Sequence, residues 1–131
     1  MPILVRSVLS ASAGAMLALA LAASAQPPAE TPDRAGRSCS WLAADGFKIS
    51  DAESEHRDLR LMIDFDDTLY IDGRVGKVAD IKPLIARETA TLGAPPVISI
   101  EPHWRSTRKA ATQVAKAVNE AGEIPICLAS S

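Results

Sequence analysis

Three aspartates that lie close together in the sequence could carry out chemistry on a phosphate group. Asp64 and Asp66 are separated by one residue, so their carboxylates lie on the same side of an extended chain, and Asp67 follows directly. Two carboxylates placed in this way can serve as a nucleophile or as a general acid and base, and with Mg²⁺ they can act on a phosphoryl group. One function that the spacing allows is therefore magnesium-dependent phosphoryl transfer.

Residues 64–69, with the sequence DFDDTL, are similar to the D-x-D-x-T-L signature of haloacid-dehalogenase-like phosphatases. However, too few residues follow Thr68 for the doubly wound sheet usual in that class, and no later acidic pair would complete a magnesium site. Aspartate also favours turns, because its side chain accepts hydrogen bonds from nearby backbone N–H groups. We therefore predict a hairpin turn with Asp66 and Asp67 facing water, no catalytic residue, no metal and no cofactor. The alternative is a phosphatase fragment that uses Asp64 and Asp66.

A second group of residues has the chemistry of a binding site. His103, Trp104 and Arg105 precede a predicted helix, and Arg108 and Lys109 lie at its start. An aromatic ring and three cations at a helix N-terminus, where backbone N–H groups favour anions, would suit an anionic ligand. A solvated loop with Trp104 folded onto the core is the more common outcome for such a stretch. These five residues are the candidate binding site.

The N-terminal segment predicts export. Residues 1–25 contain a single charged side chain, Arg6, then an apolar stretch and Ala-Ser-Ala at residues 23–25, which is the pattern of a cleaved signal peptide. The alternative is a retained membrane anchor, because residues 7–25 approach the roughly 20 residues that span a bilayer. Their Ala, Ser and Gly content makes them only weakly hydrophobic, so we expect cleavage before Gln26. The mature chain would then have no stable membrane span and would be periplasmic or secreted.

Cys39 and Cys127 are the two cysteines of the chain. In an oxidising compartment an even pair favours a disulfide, and two buried thiols are the alternative. His56 and His103 have no Cys or His at ligand spacing, so a metal site is not expected.

The composition excludes further classes of protein. The chain has 131 residues and a formal net charge of −2, which argues against a nucleic-acid-binding protein, since such proteins carry a basic face. Hydrophobic residues make up 47%, which is too many for a disordered chain. We expect one small domain and no nucleic acid partner.

The pattern along the mature chain predicts an α+β fold. Residues 26–38 are rich in proline and indicate a linker, and residues 39–49 form an apolar patch with a possible hairpin turn at Asp45-Gly46. Alternation from Leu59 predicts a strand that returns over residues 68–71, followed by a tight turn at Asp72-Gly73.

The second half predicts two helices that alternate with strands. One helix covers residues 81–92, with Asp80 as its cap and Gly93 after its end, and a second follows a Ser106 cap and ends at Ala121. Strands are expected at residues 97–100 and 124–129. The order hairpin, helix, strand, helix, strand gives a small mixed sheet with both helices packed on one face.

This order resembles the periplasmic domain of the ExbD/TolR biopolymer-transport proteins. Five segments carry the resemblance: residues 61–64 (LMID), 68–75 (TLYIDGRV), 97–102 (VISIEP), 117–122 (AVNEAG) and 124–128 (IPICL). The domain would then be residues 39–131, with the resemblance strongest over residues 59–129. It implies a non-enzymatic domain that acts in the cell envelope by contact with another envelope protein, or as a homodimer through an exposed strand edge.

The chain departs from that family at its N-terminus. Family members keep a transmembrane helix with an acidic residue that serves proton-driven work, whereas the apolar stretch of this chain contains no Asp or Glu. The sequence therefore resembles the binding domain without the proton-coupling helix.

Overall fold

A computed structural model describes residues 33–52 and 54–129 of the chain. The predicted signal peptide, residues 1–25, and the first part of the predicted linker lie outside the described residues. Within the described residues, no helix has the length and hydrophobicity needed to cross a membrane.

The described residues form an α+β fold around a mixed sheet, as predicted. Its strands are β1 (Leu59–Ile63), β2 (Leu69–Ile71), β3 (Arg74–Val75), β4 (Ile98–Pro102) and β5 (Ile126–Cys127). They lie in the order β3-β2-β1-β4-β5. The pairs β1–β2 and β2–β3 are antiparallel, and the pairs β1–β4 and β4–β5 are parallel. The central strand β1 therefore ends beside the end of the parallel strand β4. The same end of β1 leads into the hairpin with β2.

Both predicted turns connect antiparallel strands. Ile63 pairs with Leu69 across the first hairpin, which confirms a turn at the aspartates. In the second, Ile71 pairs with Arg74, and the two residues between them, Asp72 and Gly73, have φ angles of 49° and 86°. Two left-handed residues in succession are typical of the hairpin turn that matches the twist of the strands.

Three helices accompany the sheet: α1 (Ser40–Ala44), α2 (Ile81–Leu92) and α3 (Arg108–Glu120). The bounds of α2 agree with the sequence prediction, and Gly93 follows its end with a φ of 72°. Asp80 is the N-cap residue of α2, as predicted, but its side chain makes no capping hydrogen bond with the helix. Its carboxylate accepts a hydrogen bond of 3.0 Å from the N–H of Lys77, and so closes the single 3₁₀ turn Val78–Asp80 that precedes the helix.

The N-cap of α3 is Thr107 and not the predicted Ser106. The Thr107 hydroxyl accepts a hydrogen bond from the N–H of Ala110, whereas the Ser106 hydroxyl donates to the carbonyl of His103 at 2.7 Å. Two adjacent hydroxyl residues can both serve as caps, and the turn over residues 103–106 determines which one does.

The hydrophobic core lies between the helices and one face of the sheet. Leu59, Leu61 and Ile63 point into it from β1, while Arg60 and Met62 point to the opposite face. The helices contribute a larger set, which consists of Leu42, Ile81, Ile85, Ala111, Val114, Ala115 and Val118. Alternation along β1 therefore leaves a second sheet face, called the open face below, outside this core.

Residues 34–36 belong to the domain, although the sequence predicts a linker over residues 26–38. Ala35 is buried, and its N–H donates to the carbonyl of Ser106 at 2.8 Å. The N–H of Gly36 donates to the carbonyl of Trp104 at 2.9 Å. Backbone pairing with a loop far along the chain holds this segment, which a local pattern of prolines does not reveal.

Asp45-Gly46 is not a hairpin turn but the end of α1. Gly46 has a φ of 96°, its N–H donates to Ala43, and the N–H of Phe47 donates to Leu42. This pair of hydrogen bonds is a common way to end a helix at glycine.

Cys39 and Cys127 form a disulfide with a Cα–Cα distance of 6.0 Å, which confirms the predicted pairing. It joins the segment before α1 to β5, across 88 positions of sequence.

Candidate binding site

The loop between β1 and β2 uses its aspartates to hold its own backbone. Asp64 accepts a hydrogen bond of 2.8 Å from the N–H of Phe65, and Asp66 accepts one of 3.1 Å from the N–H of Thr68. Hydrogen bonding by Thr68 also holds the pKa of Asp66 below its usual value. Among the described residues, no group of three His, Cys, Asp or Glu side chains is placed to hold a metal ion.

Asp67 is exposed, as predicted, but its carboxylate is bound to α3. One oxygen accepts the N–H of Thr107 at 2.8 Å, and the other accepts the Thr107 hydroxyl at 2.9 Å. The residue has a φ of 67°, in the left-handed region that aspartate tolerates better than most residues. Asp67 therefore fastens the hairpin tip to the start of the helix.

Two of the backbone N–H groups at the helix N-terminus already have acceptors. The N–H groups of Thr107 and Ala110 already donate to Asp67 and to the Thr107 hydroxyl. These N–H groups are therefore not open to an anionic ligand.

Five cations lie around the start of α3 and are called the basic surface: Arg34, Arg37, Arg105, Arg108 and Lys109. Arg34 donates from Nη1 to the carbonyl of Arg105 at 2.8 Å, and Arg108 donates from Nε to the carbonyl of Arg34 at 3.1 Å. Within residues 33–52 and 54–129, none of the five forms an ion pair with a carboxylate. In the described part of a chain of net charge −2, this end of the sheet therefore carries five positive charges that form no ion pair, with the Asp67 carboxylate bound to Thr107 among them.

Two tryptophans contact three of the four arginines of the basic surface. The guanidinium carbon of Arg37 lies 4.8 Å from the centroid of the Trp104 ring system, and that of Arg105 lies 5.8 Å from it. Arg108 lies 4.9 Å from the centroid of Trp41. A guanidinium over a ring keeps the N–H groups at its edge available for other acceptors.

His103 continues the aromatic row towards the open face. Its Nδ1 accepts the N–H of Arg105 at 3.0 Å, and its ring lies 5.9 Å from Trp104 and 6.1 Å from Phe65, between centroids. Trp104 is half-buried against arginines and lies outside the hydrophobic core, contrary to the alternative of a ring folded onto that core.

The structure joins four of the five predicted site residues, His103, Trp104, Arg105 and Arg108, through ring contacts and through Arg34. Lys109 is exposed in the first turn of α3, beside Arg108. The structure also adds residues to this group. Arg34, Arg37, Trp41 and Phe65 are the residues that sequence reasoning missed. The sequence feature that could have indicated Arg34 and Arg37 is their spacing of three positions in a stretch otherwise rich in proline and glycine.

A cleft of about 330 Å³ opens beside His103, on the open face of the sheet. Its lining consists of Met62, Ile63, Asp64, Tyr70, Gly73, Glu101 and His103. Most of the lining surface is apolar, and Phe65, which is exposed, lies next to it through its contact with His103. The cleft and the basic surface are therefore neighbours.

A second charged group on the open face, called the paired cluster, consists of Arg57, Arg60, Ser99 and Glu101. Glu101 is buried and accepts two hydrogen bonds from Arg60, of 3.0 and 2.8 Å, and one of 2.7 Å from Ser99. Nη1 of Arg57 lies 3.6 Å from Oε2 of Glu101. The hydrogen bonds from Arg60 hold the pKa of Glu101 below its usual value, against the effect of burial.

Comparison with protein-family models, with curated proteins and with solved structures finds no match to this chain.

Proposed function

We propose that this protein is an exported, non-enzymatic binding domain that resembles the periplasmic module of the ExbD/TolR proteins and acts by protein–protein contact in the cell envelope. The partner is another envelope protein or a second copy of the chain. The disulfide supports an oxidising compartment, in the periplasm or outside the cell.

The observation that carries the proposal is the basic surface. Exposed arginines usually gain little from being fixed in one place, because ordering a long side chain costs conformational entropy. Here three arginines are placed over tryptophan rings and two donate to backbone carbonyls, yet no described carboxylate pairs with them. Such an arrangement suits a surface whose arginines are positioned in advance to bind an anionic partner.

One observation favours a phosphatase as the second candidate function. Asp64 follows β1 at the point where β1 ends beside the parallel strand β4, which is where a catalytic carboxylate would be expected. Against it, Asp64 and Asp66 accept hydrogen bonds from their own loop, and Asp67 is bound to Thr107.

Site-specific photo-crosslinking in cells that export the chain tests the binding function. A crosslinking residue in place of Lys109, in the basic surface, should give a discrete adduct whose mass identifies a second protein or a second copy. The same residue in place of Lys82, an exposed cation on α2, is the matched control and should give none. Equal labelling at both positions, or no adduct at either, would contradict the proposal.

A thermal titration with Mg²⁺ tests the phosphatase. A ligand that binds the folded state raises the melting temperature by mass action. We expect no saturable rise. A rise that disappears in Asp64→Asn, together with phosphatase turnover that the same substitution abolishes, would replace the binding function with the enzymatic one.

Export itself is tested by the intact mass of the protein recovered from the envelope fraction. We expect a chain that begins at Gln26. A chain that still contains residues 1–25 and sediments with the inner membrane would favour a retained anchor.

A further inference from the structure

We propose that the basic surface and the neighbouring cleft together bind an extended peptide segment of a partner, in which one aromatic or large apolar side chain lies beside several acidic residues. The proposal rests on the binding function above and names the chemistry that the partner must have.

Charge complementarity gives the acidic part of the segment. Arginine presents N–H groups in a planar fork that matches a carboxylate, and charge-assisted pairs of this kind are stronger than neutral hydrogen bonds. The basic surface offers four arginines and one lysine, and none of them has a carboxylate partner in the described part of the chain. Several carboxylates spaced along one strand of peptide would satisfy them.

The surface is ordered before any ligand arrives. Arg34 and Arg108 are held by carbonyl oxygens, and Arg37 and Arg105 by the ring of Trp104. Binding therefore costs less side-chain entropy than it would on an ordinary arginine-rich surface. The edge of each stacked guanidinium remains available to a carboxylate.

The cleft gives the apolar part of the segment. Met62 is 37% exposed and Phe65 is 55% exposed, and both lie at the side of the domain where His103 joins the cleft to Trp104. The cleft volume of about 330 Å³ is at the lower end of the range for small ligand sites, which suits one side chain rather than a whole cofactor. An aromatic side chain seated there would place the adjoining residues of the peptide beside Trp104 and the basic surface.

The same features argue against a membrane surface as the partner. Tryptophan is the side chain most typical of membrane interfaces, but Trp41 and Trp104 are half-buried and have guanidinium groups over their rings. A concave cleft beside the cations receives a side chain more readily than it enters a bilayer.

A fluorescence anisotropy titration tests the proposal with a defined probe. The probe is a labelled synthetic peptide with one phenylalanine beside four glutamates, and the protein is the disulfide-bonded exported chain. We expect saturable binding that weakens as salt is added, because exposed charge pairs are screened. The double substitution Arg37→Ala with Arg105→Ala should weaken binding roughly fivefold for each arginine removed.

Matched controls separate this site from general charge attraction. Lys82→Ala with Arg87→Ala removes two exposed positive charges from α2 and should leave the affinity unchanged. Met62→Ser should weaken binding of the phenylalanine peptide but not of a peptide with serine in that position. A peptide with lysines in place of the glutamates should not bind.

Three results would overturn the proposal: equal loss of affinity in the two double variants, no saturable binding of the acidic peptide, or preferential binding to vesicles that contain phosphatidylglycerol. A crosslink at Lys109 that persists while the peptide fails would leave the binding function in place and reject only the acidic segment as its ligand.

Discussion

The paired cluster and the basic surface are both rich in arginine, but their charges have different environments. In the paired cluster, Glu101 is buried and receives hydrogen bonds from Arg60 and Ser99. In the basic surface, Arg37 and Arg105 lie against Trp104 and have no carboxylate partner among the described residues. The first arrangement stabilises the fold, because the buried Glu101 carboxylate is satisfied by Arg60 and Ser99, and removing it would break these hydrogen bonds and its ion pair with the partly buried Arg57. In the basic surface, the positive charges have no carboxylate partner among the described residues, so they can attract an anion from outside the domain.

Removing the disulfide should lower the stability of the protein more than any other change proposed here. The effect should be strongest in the segment that contributes Arg34 and Arg37 to the basic surface. Replacing Cys39 and Cys127 together with serine should lower the free energy of unfolding by about 4 kcal/mol, because the unfolded chain loses a crosslink that spans 88 positions. Urea denaturation measures this change. The segment that carries Arg34 and Arg37 lies next to Cys39, so hydrogen exchange at Ala35 and Gly36 should accelerate more than exchange in β1.

The reduced wild-type protein is the control for the double serine variant and should unfold at the same urea concentration. Unfolding of both at the urea concentration of the oxidised wild-type protein would show that the crosslink contributes nothing to stability.

Glu101→Gln should have the next largest effect, confined to the paired cluster. The substitution keeps the shape of the side chain but leaves Arg57 and Arg60 without a charge partner, and we expect a loss of about 2 kcal/mol in the free energy of unfolding. Glu120→Gln, on the exposed face of α3, is the control and should change stability by less than about 0.5 kcal/mol. Similar values for the two variants would mean that the cluster is not structural.

Asp67→Ala should destabilise the protein by about 1 kcal/mol, since it removes both hydrogen bonds to Thr107 at the start of α3. The sequence alone favours a neutral or mildly stabilising effect for Asp67→Gly, because Asp-Gly is the better two-residue hairpin turn. The structure instead predicts that Asp67→Gly is destabilising, and less so than Asp67→Ala. Thermal denaturation of the two variants decides this, and a glycine variant as stable as the wild type would show that the contact with Thr107 contributes nothing.

Acid should weaken the paired cluster and leave the arginines of the basic surface charged. The pKa of Glu101 is lowered in the folded protein, chiefly by hydrogen bonds from Arg60. Its contribution to stability is therefore complete above the ordinary glutamate pKa and is lost as the pH falls through the lowered value. Unfolding free energies measured across this range should fall more steeply for the wild type than for Glu101→Gln. Asp58 and Asp66, whose pKa values are also lowered, account for the slope that remains in the variant.

The sequence predicts the strongly patterned elements of this fold. Alternation identifies β1, and the bounds of α2 follow from apolar periodicity with Gly93 immediately after its end. The pairing of Cys39 with Cys127 follows from an even cysteine count in a chain expected to be exported. These features depend on local chemistry, or on a choice among very few partners.

The features that the sequence does not predict depend on contacts between distant residues. Asp67 binds Thr107, forty positions away, and this contact gives the turn residue a structural role that its local sequence does not reveal. Arg34 and Arg37 lie in a segment that resembles a linker, and only its pairing with residues 104–107 places them in the basic surface. For the same reason, the sequence predicts the five site residues near the start of α3 but does not predict Arg34 and Arg37, which supply the rest of the positive charge of the basic surface.

The most direct test of the central claim measures stability and binding on the same variant. Arg37→Ala with Arg105→Ala should keep the free energy of unfolding within about 1 kcal/mol of the wild type, because exposed cation–π contacts are weak. The same double variant should lose the adduct formed by a crosslinking residue in place of Lys109. A variant that loses several kcal/mol of stability, or one that retains the full adduct, would contradict the division between a structural cluster and a binding surface.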